Sequence, residues 1–140
     1  MADLVFNSFK RHLGSGLVDM DGDAFRIVLL DEGYAPDASH AVLADISGHE
    51  LPAGGGYATG GLELANTTWV QDGDNMRFDA DDPQWTEASF TARHAVIHAA
   101  KTVGAVADPL VCLLDFGEAK TVSSGTFTVR FHENGILSLS

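Results

Sequence analysis

Three aspartates at alternate positions, Asp19, Asp21 and Asp23, are among the side chains of this sequence that could do chemistry. Alternating acidic residues supply the oxygen ligands of calcium-binding loops. Such a loop requires a glycine directly after the third ligand and a glutamate at its twelfth position. Here Gly22 precedes the third aspartate, and Leu30 occupies the twelfth position. The spacing therefore favours a solvated turn and predicts no metal ion at this place.

A second acidic group, Asp79, Asp81 and Asp82, lies directly before Pro83. Two carboxyl groups that face each other across a substrate can act as a general acid and a general base. These three instead follow an alternating segment and stand beside a proline, which is typical of a turn. We interpret them as turn residues that face solvent.

His94 and His98 are four residues apart, and a helix would place them on one face. The helical zinc motif of metalloproteases needs a glutamate directly after the first histidine, and this sequence has Ala95 there. On a strand the two side chains would share a face but lie about 13 Å apart, too far for one metal ion. The pattern predicts histidines at a sheet surface or an interface.

The remaining nucleophiles and glycines give no catalytic pattern. Cys112 lies inside an apolar segment, which predicts a buried and unreactive thiol in the core. The glycines at 54–56 and 60–61 fit neither a phosphate-binding loop nor a dinucleotide-binding turn. No serine stands in the nucleophile motif of the hydrolases. The sequence therefore predicts no catalytic residue, no metal and no cofactor, and we expect a protein that is not an enzyme.

The charge of the chain limits its partners. Lys and Arg number 8 and Asp and Glu number 20, which gives a formal net charge of −12. A surface this acidic repels phosphate backbones and anionic lipid headgroups. We therefore expect neither a nucleic acid nor a membrane among the partners.

Size and composition indicate one globular domain over residues 1–140. The hydrophobic fraction is 45%, and no apolar run approaches the ~18 residues of a membrane-spanning helix. The single cysteine excludes a disulfide framework within the chain. The start, Met1-Ala2-Asp3, has no early positive charge, so we expect no secretory signal.

The elements that must position these residues are mostly strands. Helical spacing predicts an amphipathic helix over residues 4–13, with Gly14 and Gly16 as stops, and a second short helix over residues 39–46. Between the strands we expect a short exposed piece at residues 85–90 and a polar turn at 118–124. The expected strands are residues 25–30, 62–70, 76–80, 92–99, 110–116, 126–131 and 136–139.

Short strands separated by glycine and aspartate turns predict a mainly β protein, a single β-sandwich (jelly-roll-like) domain with one or two short helices near the N-terminus. The β-sandwich would span residues 17–140, with Phe127, Val129 and Phe131 facing inward. Residues 1–13 would form an N-terminal amphipathic helix or arm. That segment either contacts a neighbouring molecule or closes the core of its own domain, and the sequence leaves both alternatives open.

Several stretches, in order along nearly the whole chain, resemble a family of small virion structural proteins of tailed bacteriophages. The resemblance implies a virion component and supplies no catalytic residues. Relatives tend to have Tyr-Lys where this chain has His98-Ala99, but no chemistry depends on that position. The stretches that carry the resemblance are residues 8–14, 19–31, Tyr34, 56–61, 78–82, Trp85, 90–97, 109–117, 123–128 and 135–137.

Within that family, the expectation is a capsid decoration or cement protein on the outer surface of the head, present in the host cytoplasm during assembly. Its partners would be the major capsid protein and its own copies, as a homotrimer at local threefold axes. The alternative is a tail-tube, tail or baseplate-associated structural protein. The capsid is preferred because the sequence gives no evidence of a long hairpin suited to pairing between rings. The expected interface residues are Leu4, Val5, Phe6, Phe9, Trp69 and Trp85.

Overall fold

The structure is a computed structural model that describes residues 2–140. It confirms the prediction of a mainly β domain with antiparallel sheets and a short helix near the N-terminus. Two single-turn 3-10 helices, Leu43–Asp45 and Ser47–His49, lie in the segment after the second strand. The other elements are β1 (Leu4–Val5), α1 (Asn7–Gly14), β2 (Phe25–Leu30), β3 (Leu62–Glu63), β4 (Thr68–Asp72), β5 (Asn75–Asp79), β6 (Gln84–Ala99), β7 (Thr102–Val103), β8 (Val106–Ala107), β9 (Leu110–Thr128) and β10 (Leu137–Leu139).

The strands form two main sheets and one small extension. The larger sheet has the order β1-β9-β6-β2-β3, and the smaller one has the order β10-β5-β4. A third pair, β7 and β8, continues the hairpin of β6 and β9 beyond the larger sheet. Every pair is antiparallel.

The hairpin of β6 and β9 is the longest feature of the molecule, with strands of 16 and 19 residues. Its ladder runs from Gln84 opposite Thr128 to His98 opposite Leu110, with four register shifts. The expected exposed piece at residues 85–90 and polar turn at 118–124 are therefore wrong, since both belong to this hairpin. A two-stranded ribbon carries many polar residues on its solvent side, so its sequence lacks the apolar run that marks a buried strand.

The strand predicted at residues 25–30 is confirmed with the same bounds, and both its faces are buried. Phe25, Ile27 and Leu29 point into the larger core cluster. Val28 and Leu30 point to the opposite face, into a second cluster. The period-2 alternation of a strand explains this division, and a strand covered on both sides has a continuously apolar sequence.

The larger core lies between the two main sheets. The rings of Phe25 on β2 and Phe78 on β5 meet edge to face with centroids 5.0 Å apart. Val129 is 4% exposed and belongs to this cluster, which confirms its inward direction. The second cluster, on the other face of the larger sheet, is covered by residues 31–51 and includes Tyr34 and Ile46.

The helix predicted over residues 4–13 is present as α1, but it begins only at Asn7, because Leu4 and Val5 form a strand. Leu4 and Val5 pair with Leu113 and Cys112 at the edge of the larger sheet. Phe6 then leaves the strand in an extended conformation and α1 begins at the next residue. The side chain of Phe6 is fully buried, so of the two alternatives the segment closes the core of its own domain.

The second predicted helix, over residues 39–46, is also wrong, because only the 3-10 turn Leu43–Asp45 forms there. A β-bridge to Pro109 holds Val42 extended. The carboxylate of Asp45 accepts hydrogen bonds from the N–H groups of Ala41 and Val42. These hydrogen bonds between a side chain and the backbone take the place of the backbone hydrogen bonds of an α-helix.

The strand predicted over residues 62–70 is divided into β3 and β4. Asn66 lies between them with a φ of +53°, a left-handed conformation that breaks the extended chain. The strands predicted at 76–80, 92–99, 110–116 and 136–139 are present as β5, β6, β9 and β10, with shifted ends.

Candidate docking surfaces

The first aspartate group forms a turn, as predicted. Asp19 accepts a hydrogen bond from the N–H of Asp21, and Asp23 accepts one from the N–H of Asp19. Asp23 also forms an ion pair of 2.9 Å with Lys101. The local backbone and this cation therefore use the carboxylates, and the turn is tied to the chain between β6 and β7.

The second aspartate group is a turn as well. Asp81 accepts a hydrogen bond from the side-chain amide of Asn66, and Asp82 accepts one from the N–H of Phe131. Asp79 caps the N–H of Ala80. Among residues 2–140, no three side chains of His, Cys, Asp or Glu converge as a metal site would require.

His94 and His98 are buried, with 3% and 2% exposure, so the prediction of a surface or interface position is wrong. Both lie on β6, which is central in the larger sheet and covered on its two faces. The Nδ1–H of His98 donates to the carbonyl of Ala99 over 3.2 Å, whereas its Nε2 has no hydrogen-bond partner. Burial lowers the pKa of His98, so the ring is neutral at neutral pH.

Three histidines surround Tyr34, an arrangement that the sequence did not predict. The hydroxyl of Tyr34 and Nδ1 of His40 share a hydrogen bond of 2.8 Å. The rings of His49 and His94 lie edge-on to Tyr34 at centroid distances of 5.6 and 5.8 Å. His40 and His49 belong to the same covering segment as Tyr34, whereas His94 lies on the distant strand β6, and no spacing pattern connects the three histidines. The cluster holds the covering segment against β6.

The glycine-rich loop after residue 53 is held by a buried hydrogen-bond network around Tyr57. The N–H of Leu29 donates to the hydroxyl of Tyr57 over 3.1 Å, and this hydroxyl donates to Glu50 over 2.7 Å. The guanidinium of Arg26 donates to the carbonyls of Gly60 and Gly61. Burial, the largest cause, and the bond to Glu50 raise the pKa of Tyr57. Each polar group has its partner inside the chain, so the network is structural.

Cys112 is buried in the core, as predicted. Burial raises the pKa of its thiol to about 12. The thiolate, the reactive form of cysteine, is therefore absent at neutral pH.

An apolar groove of about 440 Å³ lies where α1 faces the smaller sheet. It contains three of the six predicted interface residues, namely Val5, Phe9 and Trp69. Leu139 on β10 forms part of its rim and is 52% exposed. The other apolar residues that line this groove are Leu13 and Leu137.

The other three predicted interface residues do not reach the apolar groove. Leu4 is half-buried and packs with Phe6 on the opposite face of the larger sheet. Trp85 is 2% exposed and stacks with Tyr57 at a centroid distance of 6.3 Å. The side chains of Phe6, Phe9 and Trp85 are buried in the core of the single chain, which presents little of them to a partner.

Cations without an ion pair lie beside the apolar groove. Lys10 lines it, and both Lys10 and Arg11 are exposed on α1. Neither forms an ion pair within the described residues 2–140. The cations that do form ion pairs with carboxylates are Arg77, Arg93, Lys101 and Lys120.

β9 has a long open edge, residues 116–128. β1 pairs with β9 only at Leu113 and Cys112, and within the described chain no strand pairs with the outer side of β9 beyond them. The ribbon curls strongly here, so that the rings of Phe116 and Phe127 lie 5.9 Å apart. The curl forms an open cleft of about 640 Å³, which Lys120 and Arg130 also line.

The end of the long hairpin is exposed and apolar. We define the hairpin tip as residues 102–107, Thr-Val-Gly-Ala-Val-Ala, which contain no charged side chain. Val103 is 42% exposed. At the base of the tip, the side chain of Asp108 is 40% exposed. The open edge was missed because residues 118–124 are typical of a polar turn when considered without their partner strand.

Comparison of the sequence with models of protein families and with curated proteins, and of the fold with solved structures, gives no match. No helix in the described chain is both long enough and apolar enough to cross a membrane.

Proposed function

We propose that this protein is a structural component of a tailed-bacteriophage virion and decorates the outer surface of the capsid. The proposal is supported by the resemblance to small virion proteins and, above all, by the open edge of β9. A strand edge presents unpaired N–H and C=O groups that can pair with a strand from another chain. We assign this edge to the major capsid protein, which would add an extended segment to the larger sheet.

The residues of the open edge fit an added strand. Apart from Glu118 and Lys120, its exposed side chains are small and uncharged, including Ser123, Ser124 and Thr126. A second backbone can therefore approach along residues 121–126. Phe116 and Phe127 form an apolar floor beside the edge. Main-chain hydrogen bonds would supply affinity, and the floor would select apolar side chains of the added segment.

The charge of the protein also fits the outer surface of a head. With a net charge of −12, the domain is repelled by the packaged genome and gains nothing from contact with it. On the exterior the acidic surface contacts solvent instead. Binding as a homotrimer would combine several weak contacts into a stable attachment.

The long hairpin of β6 and β9 favours a second candidate function, in the tail. A tail-tube subunit pairs with its neighbours in stacked rings, and a hairpin with an exposed end suits that contact. The preference for the capsid in the sequence rests on the absence of a long hairpin, and the structure contains one. The capsid remains the first proposal because the open edge provides a binding surface for a second protein.

The test is the localisation of the protein on intact particles of the source phage by antibody-gold electron microscopy. We expect label over the whole surface of the head. Label confined to the tail would overturn the capsid proposal and establish the tail alternative. Label on neither structure, with signal only in the lysate, would contradict both.

A binding assay with heads that lack this protein tests the open edge itself. The variant with Ser123→Asp and Thr126→Asp places charge on that edge and should bind at least about tenfold more weakly. The matched control carries two aspartates at exposed positions of β4, Thr68→Asp and Val70→Asp, and should bind like the unmodified protein. Equal binding of both variants would overturn the role of the open edge.

A further inference from the structure

The hairpin tip and the apolar groove are complementary surfaces on one chain. The tip offers exposed apolar side chains such as Val103, with the carboxylate of Asp108 at its base. The groove offers a partly exposed apolar lining with the ammonium group of Lys10 at its rim. Lys10 forms no ion pair within residues 2–140, so in a chain of net charge −12 it is free to attract a carboxylate of another molecule.

We propose that the hairpin tip of one copy inserts into the apolar groove of a second copy, with Asp108 of the first facing Lys10 of the second. Val103 and Val106 would cover Trp69 and Leu139 at the groove. The proposal rests on the homo-oligomeric assembly proposed above and names the contact through which the copies join.

A second copy is the occupant that the charges favour. The neutral tip can approach an acidic partner without adding a repulsive charge, while Asp108 and Lys10 fix its direction. The ring of His98 lies 3.9 Å from Asp108 but is neutral, so it does not neutralise this carboxylate. Asp108 therefore remains available to a cation from another molecule.

The contact joins two different surfaces, so it runs head to tail. Such contacts close into rings when the rotation between copies permits it and otherwise form filaments. A ring of three copies would agree with the homotrimer expected for a decoration protein. A symmetric dimer, in which one surface meets itself, is a different arrangement, and the test separates the two.

The test is a complementation experiment on the purified full-length protein by sedimentation velocity. Val103→Asp disables the hairpin tip, and Leu139→Asp disables the groove. Both positions are exposed, so we expect both variants to fold. The unmodified protein should form oligomers, with three times the 14.8 kDa monomer mass for a trimer, and each variant alone should be monomeric.

An equimolar mixture of the two variants retains one intact tip and one intact groove. It should therefore form one-to-one dimers and nothing larger. A mixture that stays monomeric, or an unmodified protein that stays monomeric, would overturn the proposal. These experiments need no capsid, so their failure leaves the test of localisation unaffected.

Two further variants test the specificity of the contact. Val70→Asp places the same charge at a residue that is 54% exposed on β4 but does not line the groove, and it should leave the oligomer unchanged. Lys10→Glu should weaken association about tenfold, because it opposes Asp108 with a like charge. Loss of the oligomer with Val70→Asp, or no effect of Lys10→Glu, would contradict the assigned surfaces.

Discussion

Gly61 occupies a position where a side chain has no space. Its φ is +70°, and a Cβ atom there would lie 1.8 Å from the carbonyl oxygen of Ile27. That carbonyl belongs to β2, which is buried on both faces and cannot move away. We expect Gly61→Ala to lower the free energy of unfolding by about 3 kcal/mol or more, measured by urea denaturation.

The matched control for this prediction is Gly73→Ala. Gly73 has a φ of +63°, but no atom lies within 4 Å of its Cβ position. The substitution adds the same backbone strain without the steric clash, and it should cost only about 1 kcal/mol. Equal losses at the two positions would show that backbone conformation alone, and not close packing against β2, requires glycine at position 61.

At the scale of single residues, the sequence predicts those whose environment is local. Cys112 was placed in the core because its own segment is apolar, and Asp21 in a turn because its neighbours are turn residues. Tyr34 and Tyr57 were missed as the centres of their clusters, because each cluster also needs a distant strand: His94 on β6 for Tyr34 and Leu29 on β2 for Tyr57. Trp85 was assigned to a surface for the same reason, since its neighbours in sequence are polar while its neighbours in space are aromatic.

The N-terminal segment, residues 2–13, contributes core residues, although its sequence also fits a separate arm. Phe6 and Phe9 are 0% and 2% exposed. Truncation of one buried phenylalanine costs about 3–5 kcal/mol, and a domain is stable by only about 5–15 kcal/mol. We therefore expect deletion of residues 2–13 to unfold the protein, with loss of the near-ultraviolet circular dichroism signal and of a cooperative melting transition.

The control replaces residues of the same helix that face solvent. Asn7→Ala combined with Arg11→Ala changes two exposed side chains of α1 that do not line the apolar groove, and it should leave the melting temperature nearly unchanged. A deleted protein that still melts cooperatively would mean that residues 2–13 form a separable arm.

The position of a strand was predictable where both of its faces are buried, and less so where one face is exposed to solvent. β2 was predicted with correct bounds because its sequence is apolar throughout. The outer half of the β6–β9 hairpin was missed because Glu118 and Lys120 are typical of a loop when considered without their partner strand. The apolar groove combines residues of β1, α1, β4 and β10, and no sequence pattern indicates that Val5 and Trp69 meet.

At the scale of the whole molecule, the response to pH depends on groups whose pKa values folding changes. Burial lowers the pKa of His98 below its usual value of 6.5. Hydrogen bonds, from Arg93 to Asp115 and from backbone N–H groups to Asp45, lower the pKa of these carboxyls below their usual value of 3.8. The folded protein binds a proton at His98 less readily than the unfolded chain does. Protonation of the unfolded chain therefore lowers the free energy of unfolding as the pH falls below the unfolded pKa, whereas above that pKa the stability is fully present. Protonation of the two carboxyls also lowers the free energy of unfolding as the pH falls, but only below about pH 4.

We therefore expect the melting temperature to fall in two stages on acidification, first below about pH 6.5 and again below about pH 4. His98→Asn keeps a hydrogen-bond donor near the position of Nδ1 and cannot titrate. This variant should show a flatter first stage, whatever its stability at pH 7.5. The charged groups near His98 are Asp108, Arg26 and Glu50. An unchanged slope between pH 6.5 and 5 in the variant would show that titration of another group, such as His12, whose pKa burial also lowers, causes the first stage.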